Sequence, residues 1–186
     1  MDPVVFEVPP ELFVVAESSS FSGELALEVL DAGFDAYHFD GSVSWSATVT
    51  NTGDALLVMG SASAHARTQC ARCLDEFPLD LEGDIEGYYL LSEGSERPEG
   101  MDDDEFEILP ADHMIDLEPL IVAALLVDVP LIPLCDDDCK GLCAGCGANL
   151  NSEPCTCAAD GGEELPRMSD GRISPFAALK DLKLDE

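Results

Sequence analysis

Basic side chains are almost missing from this chain. Only 8 Lys and Arg stand against 39 Asp and Glu in 186 residues, leaving a formal charge of −31 and a pI near 4.1. Affinity for nucleic-acid phosphate comes largely from Lys and Arg. The scarcity therefore argues against a general RNA or DNA binder and against docking on an anionic membrane. Basic proteins are the partners that such a field attracts, although the same charge also serves plain solubility. Histidine is scarce as well. His38, His65 and His113 are the only imidazoles, and none sits in a nucleophile or metallohydrolase motif, which argues against an enzyme.

Long apolar runs are absent too. The longest, Leu120 to Leu134, is broken by Asp128, Pro130 and Pro133, and falls short of the roughly 20 apolar residues that a membrane span needs. The opening Met1-Asp2-Pro3-Val4-Val5-Phe6-Glu7 has neither the basic nor the apolar region of a secretory signal. The expectation is a cytoplasmic protein without membrane association, whose cysteines are thiolates for metal before they are disulfides. No internal repeat is visible.

With 46% hydrophobic residues the chain has enough apolar material for a core, and its length suits one elaborated domain or two small ones. Residues 1–91 read as strands. Val43, Trp45, Ala47 and Val49 alternate with Ser44, Ser46, Thr48 and Thr50, the period of a half-buried strand. Asn51-Thr52-Gly53-Asp54 supplies a turn, and Leu56 to Met59 opens a return strand running through Ala62, Ala64 and Ala66. A third run puts Phe77, Leu79, Leu81, Ile85 and Tyr89 on one face and Glu76, Asp80, Glu82, Asp84 and Glu86 on the other. These imply an antiparallel meander, acidic outside and apolar inside. Val4 to Val8, Leu12 to Ala16 and Glu24 to Leu30 are expected to add edge strands.

Ser92 to Glu107 is dense in carboxylates and carries Gly94, Pro98 and Gly100, so 92–112 reads as an acidic flexible loop. In 113–134, Asp116 is the expected N-cap of a helix carrying Leu117, Leu120, Ile121, Ala124 and Leu125, ended by Val129-Pro130. Its apolar stripe should pack on the sheet. Residues 135–186 form a cysteine-rich tail, with Gly161-Gly162 as a hinge before a short terminal helix opened by Ser174-Pro175-Phe176. The fold class is thus α+β: an antiparallel β domain, one packed helix and a C-terminal cysteine-rich segment.

Eight cysteines stand at Cys70, Cys73, Cys135, Cys139, Cys143, Cys146, Cys155 and Cys157. Cys70-Ala71-Arg72-Cys73 and Cys143-Ala144-Gly145-Cys146-Gly147 each place two thiolates where one tight turn wraps a tetrahedral ion. The glycine after the second pair permits a positive φ, which lets backbone amides reach the sulfurs. Eight ligands suit two four-cysteine zinc sites, and an iron–sulfur cluster would use the same residues. In one grouping Cys70 and Cys73 join Cys135 and Cys139, leaving a local site of Cys143, Cys146, Cys155 and Cys157. In the other the two Cys-x-x-Cys pairs combine. The first has the lower loop-closure cost for its second site. A redox pair would want a βαβ context that the flanks lack.

At these residues the chain resembles the YceD family, described as large ribosomal RNA subunit accumulation proteins. The resemblance runs through Cys70-Ala71-Arg72-Cys73-Leu74 with Phe77, Ile115-Asp116-Leu117, and Leu131-Ile132-Pro133-Leu134-Cys135. It continues in Cys139-Lys140-Gly141-Leu142-Cys143, Cys146-Gly147, Asn149-Leu150-Asn151 and Pro175-Phe176-Ala177-Ala178-Leu179. The family's Asp-Pro-Arg triplet is Leu165-Pro166-Arg167 here, and the chain is unusually acidic.

The resemblance implies a bacterial cytoplasmic protein needed for normal accumulation of large-subunit ribosomal RNA, with no known catalytic activity. The partner would be ribosomal RNA or a basic ribosomal protein. Arg67, Arg72, Lys140, Arg167 and Arg172 are the candidate contacts, as a small cationic patch on an acidic body. Their plainer role would be to balance thiolate charge. The alternatives are an acidic chaperone for a basic ribosomal protein without RNA contact, a thiol redox protein, or a zinc enzyme in which His65 replaces a cysteine.

Overall fold

The computed structural model describes residues 4–95, 100–102 and 106–157. Among them run nine strands and one helix: β1 Val5–Glu7, β2 Ser18–Leu25, β3 Val29–Ala32, β4 Asp35–Phe39, β5 Val43–Asn51, β6 Ala55–Gln69, β7 Glu76–Leu90, β8 Glu107–Ile108, β9 Met114–Asp116 and α1 Glu118–Asp128. The chain divides into two compact units, Met1–Cys139 and Lys140–Glu186.

In the first unit β6 is the spine. β7 pairs with it antiparallel over its whole length, from Ala55↔Leu90 to Gln69↔Glu76. Its other edge takes β5, from Leu56↔Asn51 to Ser63↔Ser44, and then the end of β4 at Ala66 and Arg67. β2 lies outside β5 and β3 outside β4, while β8 joins β7 in parallel at Tyr89 and Leu90. β1 and β9 make a separate antiparallel pair.

The alternation in the sequence accounts for the central strands. Val43, Ala47 and Val49 of β5 are buried while Ser44, Ser46 and Thr48 are exposed, and Leu81 and Ile85 of β7 are buried between exposed Glu82, Asp84 and Glu86. Each fully buried Val, Leu or Ile contributes roughly 1.5–3 kcal/mol over leaving it in water. The β5–β6 turn closes on Gly53, at φ +114°, which Asn51 Oδ1 holds at 2.7 Å. The amide of the same Asn51 side chain donates to the Leu12 carbonyl at 2.7 Å, so this buried polar group is satisfied.

Helix α1 lies on β7 through Ile121, Ala124 and Leu125. Gly83 permits that approach, because a Cβ there would lie 2.1 Å from the Ala124 carbonyl oxygen. Asp116 acts one position away from its expected place. The N-cap is Leu117, which cannot cap, and Asp116 Oδ1 instead accepts from the Glu118 amide at 2.9 Å. The helix ends as the proline requires, with Val129 extended at ψ 125°.

Three edge readings change. Leu12 to Ala16 is no strand: Pro10–Phe13 forms a 3-10 turn that drives Leu12 into the core. Glu24 to Leu30 is divided between the end of β2 and the start of β3. Within 92–112, β8 and the buried Leu109 belong to the sheet, and Ser92 to Ser95 closes a turn. The Gly161-Gly162 hinge and the Ser174-Pro175-Phe176 helix lie outside the described residues. No helix among the described residues is long and apolar enough to cross a membrane.

Candidate metal centres

β6 delivers the chain into Cys70 and β7 carries it away, so the first cysteine pair sits in a tight turn held by two packed strands. The Leu74 amide donates to the Cys70 carbonyl and the Cys70 amide to the Asp75 carbonyl, both at 2.9 Å. Leu74 takes φ +63° to close that turn. After α1 the chain returns to the same place. The Ala71 amide donates to the Pro133 carbonyl at 2.8 Å, which sets Cys135 beside the turn. Asp136 then shapes a tight loop, its carbonyl accepting from the Cys139 amide and its Oδ1 from the Asp138 amide. Arg72 fastens this loop to the turn: its Nη1 donates to the carbonyls of Asp137 and Cys139, each at 3.0 Å. Cys70, Cys73, Cys135 and Cys139 thereby bring their sulfurs within 4.8 Å of one another. Cys70 and Cys139 stand 3.8 Å apart, and Cys73 and Cys135 3.7 Å. All but Cys135 are buried, against Phe77 and Leu134.

The second unit builds its centre locally. The Gly147 amide donates to the Cys143 carbonyl and the Cys143 amide to the Ala148 carbonyl, both at 2.8 Å, with Gly147 at φ +74°. A bridge between Leu142 and Asn149 and a bond from the Leu150 amide to the Gly141 carbonyl close the loop. Cys143, Cys146, Cys155 and Cys157 again meet within 4.8 Å. Cys155 stands 3.2 Å from Cys143 and 3.4 Å from Cys146. Cys146 is exposed and the other three half-buried.

The electrostatics of the two clusters run in parallel. Burial pushes the Cys70 thiol up, but the amides of Cys135, Cys73 and Arg72 aimed at its sulfur outweigh this and hold it at about 6. The Cys146 amide, with hydrogen bonds from Cys155 and Gly145, holds Cys143 at about 6. Their neighbours move the other way. Burial and the sulfurs of Cys139, Cys70 and Cys73 push Cys135 up to about 12, and Cys155 and Cys146 push Cys157 up to about 12. Each cluster thus favours one thiolate and resists the next, because like charges crowd a small space. A bound dication removes that resistance and favours the fully deprotonated set.

The grouping is the one that spares the second site a long loop; the two Cys-x-x-Cys pairs do not share a centre. Among the described residues both tetrads contain cysteine alone. His65 stands elsewhere, exposed on β6 with its Nδ1 against Asp80 Oδ1, and replaces no cysteine. Arg67 is held by Asp40 at 2.5 Å, and Arg72 serves the first tetrad. Lys140 is exposed, its backbone amide donating to Asn151 Oδ1 at 2.8 Å. Arg167 and Arg172 lie outside the described residues. The clamp by Arg72 and the left-handed Leu74 carry no sequence signal: the carbonyls that Arg72 bonds are over 60 residues away.

An uncharacterized protein of Mycobacterium leprae is 24% identical over 160 residues, covering 83% of this chain and 70% of that protein. One from Mycobacterium tuberculosis is 33% identical over 106 residues, 57% of this chain and 50% of its own length. A maize protein named large ribosomal RNA subunit accumulation protein YCED homolog 1, chloroplastic, is 41% identical over 56 residues, 30% of this chain and 19% of that protein. The chain therefore spans about half or less of two of these three relatives. No solved structure matches. The family model for the large ribosomal RNA subunit accumulation protein YceD matches residues 58–183, a stretch that includes both cysteine tetrads, and the chain belongs to the YceD family.

Proposed function

We propose that this chain is a cytoplasmic zinc protein that acts, without catalysing a reaction, in the accumulation of large-subunit ribosomal RNA and the assembly of the ribosome. The observation that carries this is the pair of cysteine-only tetrads. Four thiolates fill a tetrahedral ion and leave no position for a substrate or an activated water. Zn–S bonds of about 2.3 Å put sulfurs about 3.8 Å apart at the corners of a tetrahedron, and the first tetrad has 3.7 and 3.8 Å. A cluster of several irons would spread its thiolates over different metal atoms, so the close spacing favours a single ion. Zinc bound there would supply a cross-link joining the β6–β7 turn to the segment after α1. The names of the plant relatives support the link to large-subunit ribosomal RNA. Elemental analysis with native mass spectrometry should find two zincs per chain, and X-ray absorption an all-sulfur shell. Iron in their place, or a nitrogen or oxygen ligand, would refute the assignment.

A second reading concerns the partner, and the charge favours it. With −31 overall, and with Arg67 tied to Asp40 and Arg72 spent on main-chain carbonyls, Lys140 is the basic residue left to phosphate among the described residues. The acidic body suits a basic ribosomal protein, which it would keep soluble by standing in for RNA charge. Purified ribosomal proteins should bind without RNA and release at high salt. Tighter binding to naked large-subunit RNA fragments would sink this version.

A further inference from the structure

Among the described residues, strand β7 has one edge occupied by β6 and a second that pairs only with the short β8. Along Glu82 to Tyr88 no described strand pairs with that outer edge; β8 joins only at Tyr89 and Leu90. Two bonds show which residues face outward. The Glu82 amide turns away from β6 to donate to Asp128 Oδ2 at 2.9 Å, and the Leu90 carbonyl accepts from the Leu109 amide at 2.8 Å. Outward groups alternate along an antiparallel strand, so Asp84 and Glu86 direct their backbone N–H and C=O to that side as well, and Tyr88 its N–H, the Tyr88 carbonyl being taken up in the parallel pairing of Tyr89 with Glu107.

A groove of about 500 Å³ runs between this edge and helix α1. Its two walls differ in chemistry. Glu82, Asp84 and Glu86 stand exposed on the outer face of the strand, while Leu120, Ala123 and Val127 of α1 form an apolar wall, Val127 being 88% exposed. Carboxylates on an edge strand repel a second copy of the same strand. The charge that keeps out a like neighbour attracts a cationic one.

We infer that the open edge of β7 is a docking site for an extended segment of a basic protein, taken up as an added strand. Side chains of an added strand alternate between faces. Its Lys or Arg residues would lie beside Glu82, Asp84 and Glu86, and the small apolar residues between them against Leu120, Ala123 and Val127. The ligand is thus a segment of alternating basic and apolar residues. This rests on the reading that the chain holds a basic ribosomal protein, and it assigns the surface that does so.

The test uses the full-length zinc-loaded protein and a seven-residue peptide alternating lysine and valine, with a glutamate–valine peptide as control. Amide hydrogen exchange should slow at Asp84, Glu86 and Tyr88 with the first peptide alone. Glu86→Pro removes an outward N–H without breaking the β6 ladder, and should weaken binding about tenfold or more, the scale of one or two lost hydrogen bonds and a blocked edge. Should that variant unfold, Glu86→Lys with a peptide methylated on alternate backbone nitrogens asks the same question. Peptide affinity that ignores both Glu86→Pro and backbone methylation would overturn strand addition. If basic ribosomal proteins still bind in that case, the functional reading survives and this surface falls; if none binds at all, both fall.

Discussion

Leu74 and Gly147 occupy the same place in two separate turns. Each stands four residues after the first cysteine of its pair, donates its amide to that cysteine's carbonyl, and takes a left-handed backbone at φ +63° and +74°. One turn uses the residue suited to that conformation; the other pays for a side chain in it. For a non-glycine residue the left-handed region costs about 1–2 kcal/mol. Gly147→Val should therefore weaken metal retention at the second centre about tenfold and leave the first untouched, as read by competition with a chromogenic chelator. Leu74→Gly should change stability by less than about 1 kcal/mol, because relief of strain is offset by the freedom glycine gains in the unfolded chain.

The two centres should fail separately. Cys146→Ser is expected to halve the bound metal while denaturant unfolding of the sheet keeps its midpoint. Cys73→Ser should also halve it, but unfold the first unit earlier by on the order of 3 kcal/mol, since that ion joins segments of the core unit. A chelator should strip the exposed centre first and the buried one slowly. Equal rates of loss would contradict the contrast in burial.

Arg72 is expected to act on the metal centre. Its two bonds to the Asp137 and Cys139 carbonyls come from a charged donor, and such bonds are worth about 1.5–3 kcal/mol. Arg72→Ala should speed metal release from the first centre at least about tenfold, and Arg72→Lys should recover part of the loss, lacking the planar fork. An Arg72→Ala protein with normal metal retention would place its role elsewhere.

Tyr89 gives the molecule an alkaline limit. Burial, with Glu107 and Asp116 nearby, pushes its phenol up to about 12 from an ordinary 10. The folded state therefore holds the proton more tightly than the unfolded chain. This contribution is complete below pH 10 and is lost as pH rises from 10 through 12. Burial raises the Tyr37 phenol too, so absorbance titration should show late phenolates, of which the one near pH 12 is lost in Tyr89→Phe, and that variant should flatten the fall in stability across the window. Loss of the late phase in Tyr88→Phe instead would count against the assignment.

The central strands were legible because serine and threonine alternate there with apolar residues, as in Val43 to Thr50 of β5. β2 was not, because its Ser18-Ser19-Ser20 run exposes most of its side chains on an outer strand and offers no apolar period. Spacing left the grouping of the cysteines open, and loop-closure cost favoured the one the structure has. The left-handed Leu74 could not be read, since leucine ordinarily avoids that conformation, and the short β8 owes its place to the sheet it joins rather than to Glu107 and Ile108 themselves.

The unequal reach of the two tetrads sets a timetable for the nascent chain. In the first, sulfurs meet across 62 and 69 residues; in the second, across 9 and 12. At roughly 5–20 residues per second of translation, Cys70 and Cys73 leave the ribosome several seconds before their partners exist, while the later set is complete within about a second or two of starting. The early thiols wait bare, so if the tetrads hold metal, metal supply and oxidant level during that interval would decide how many copies mature.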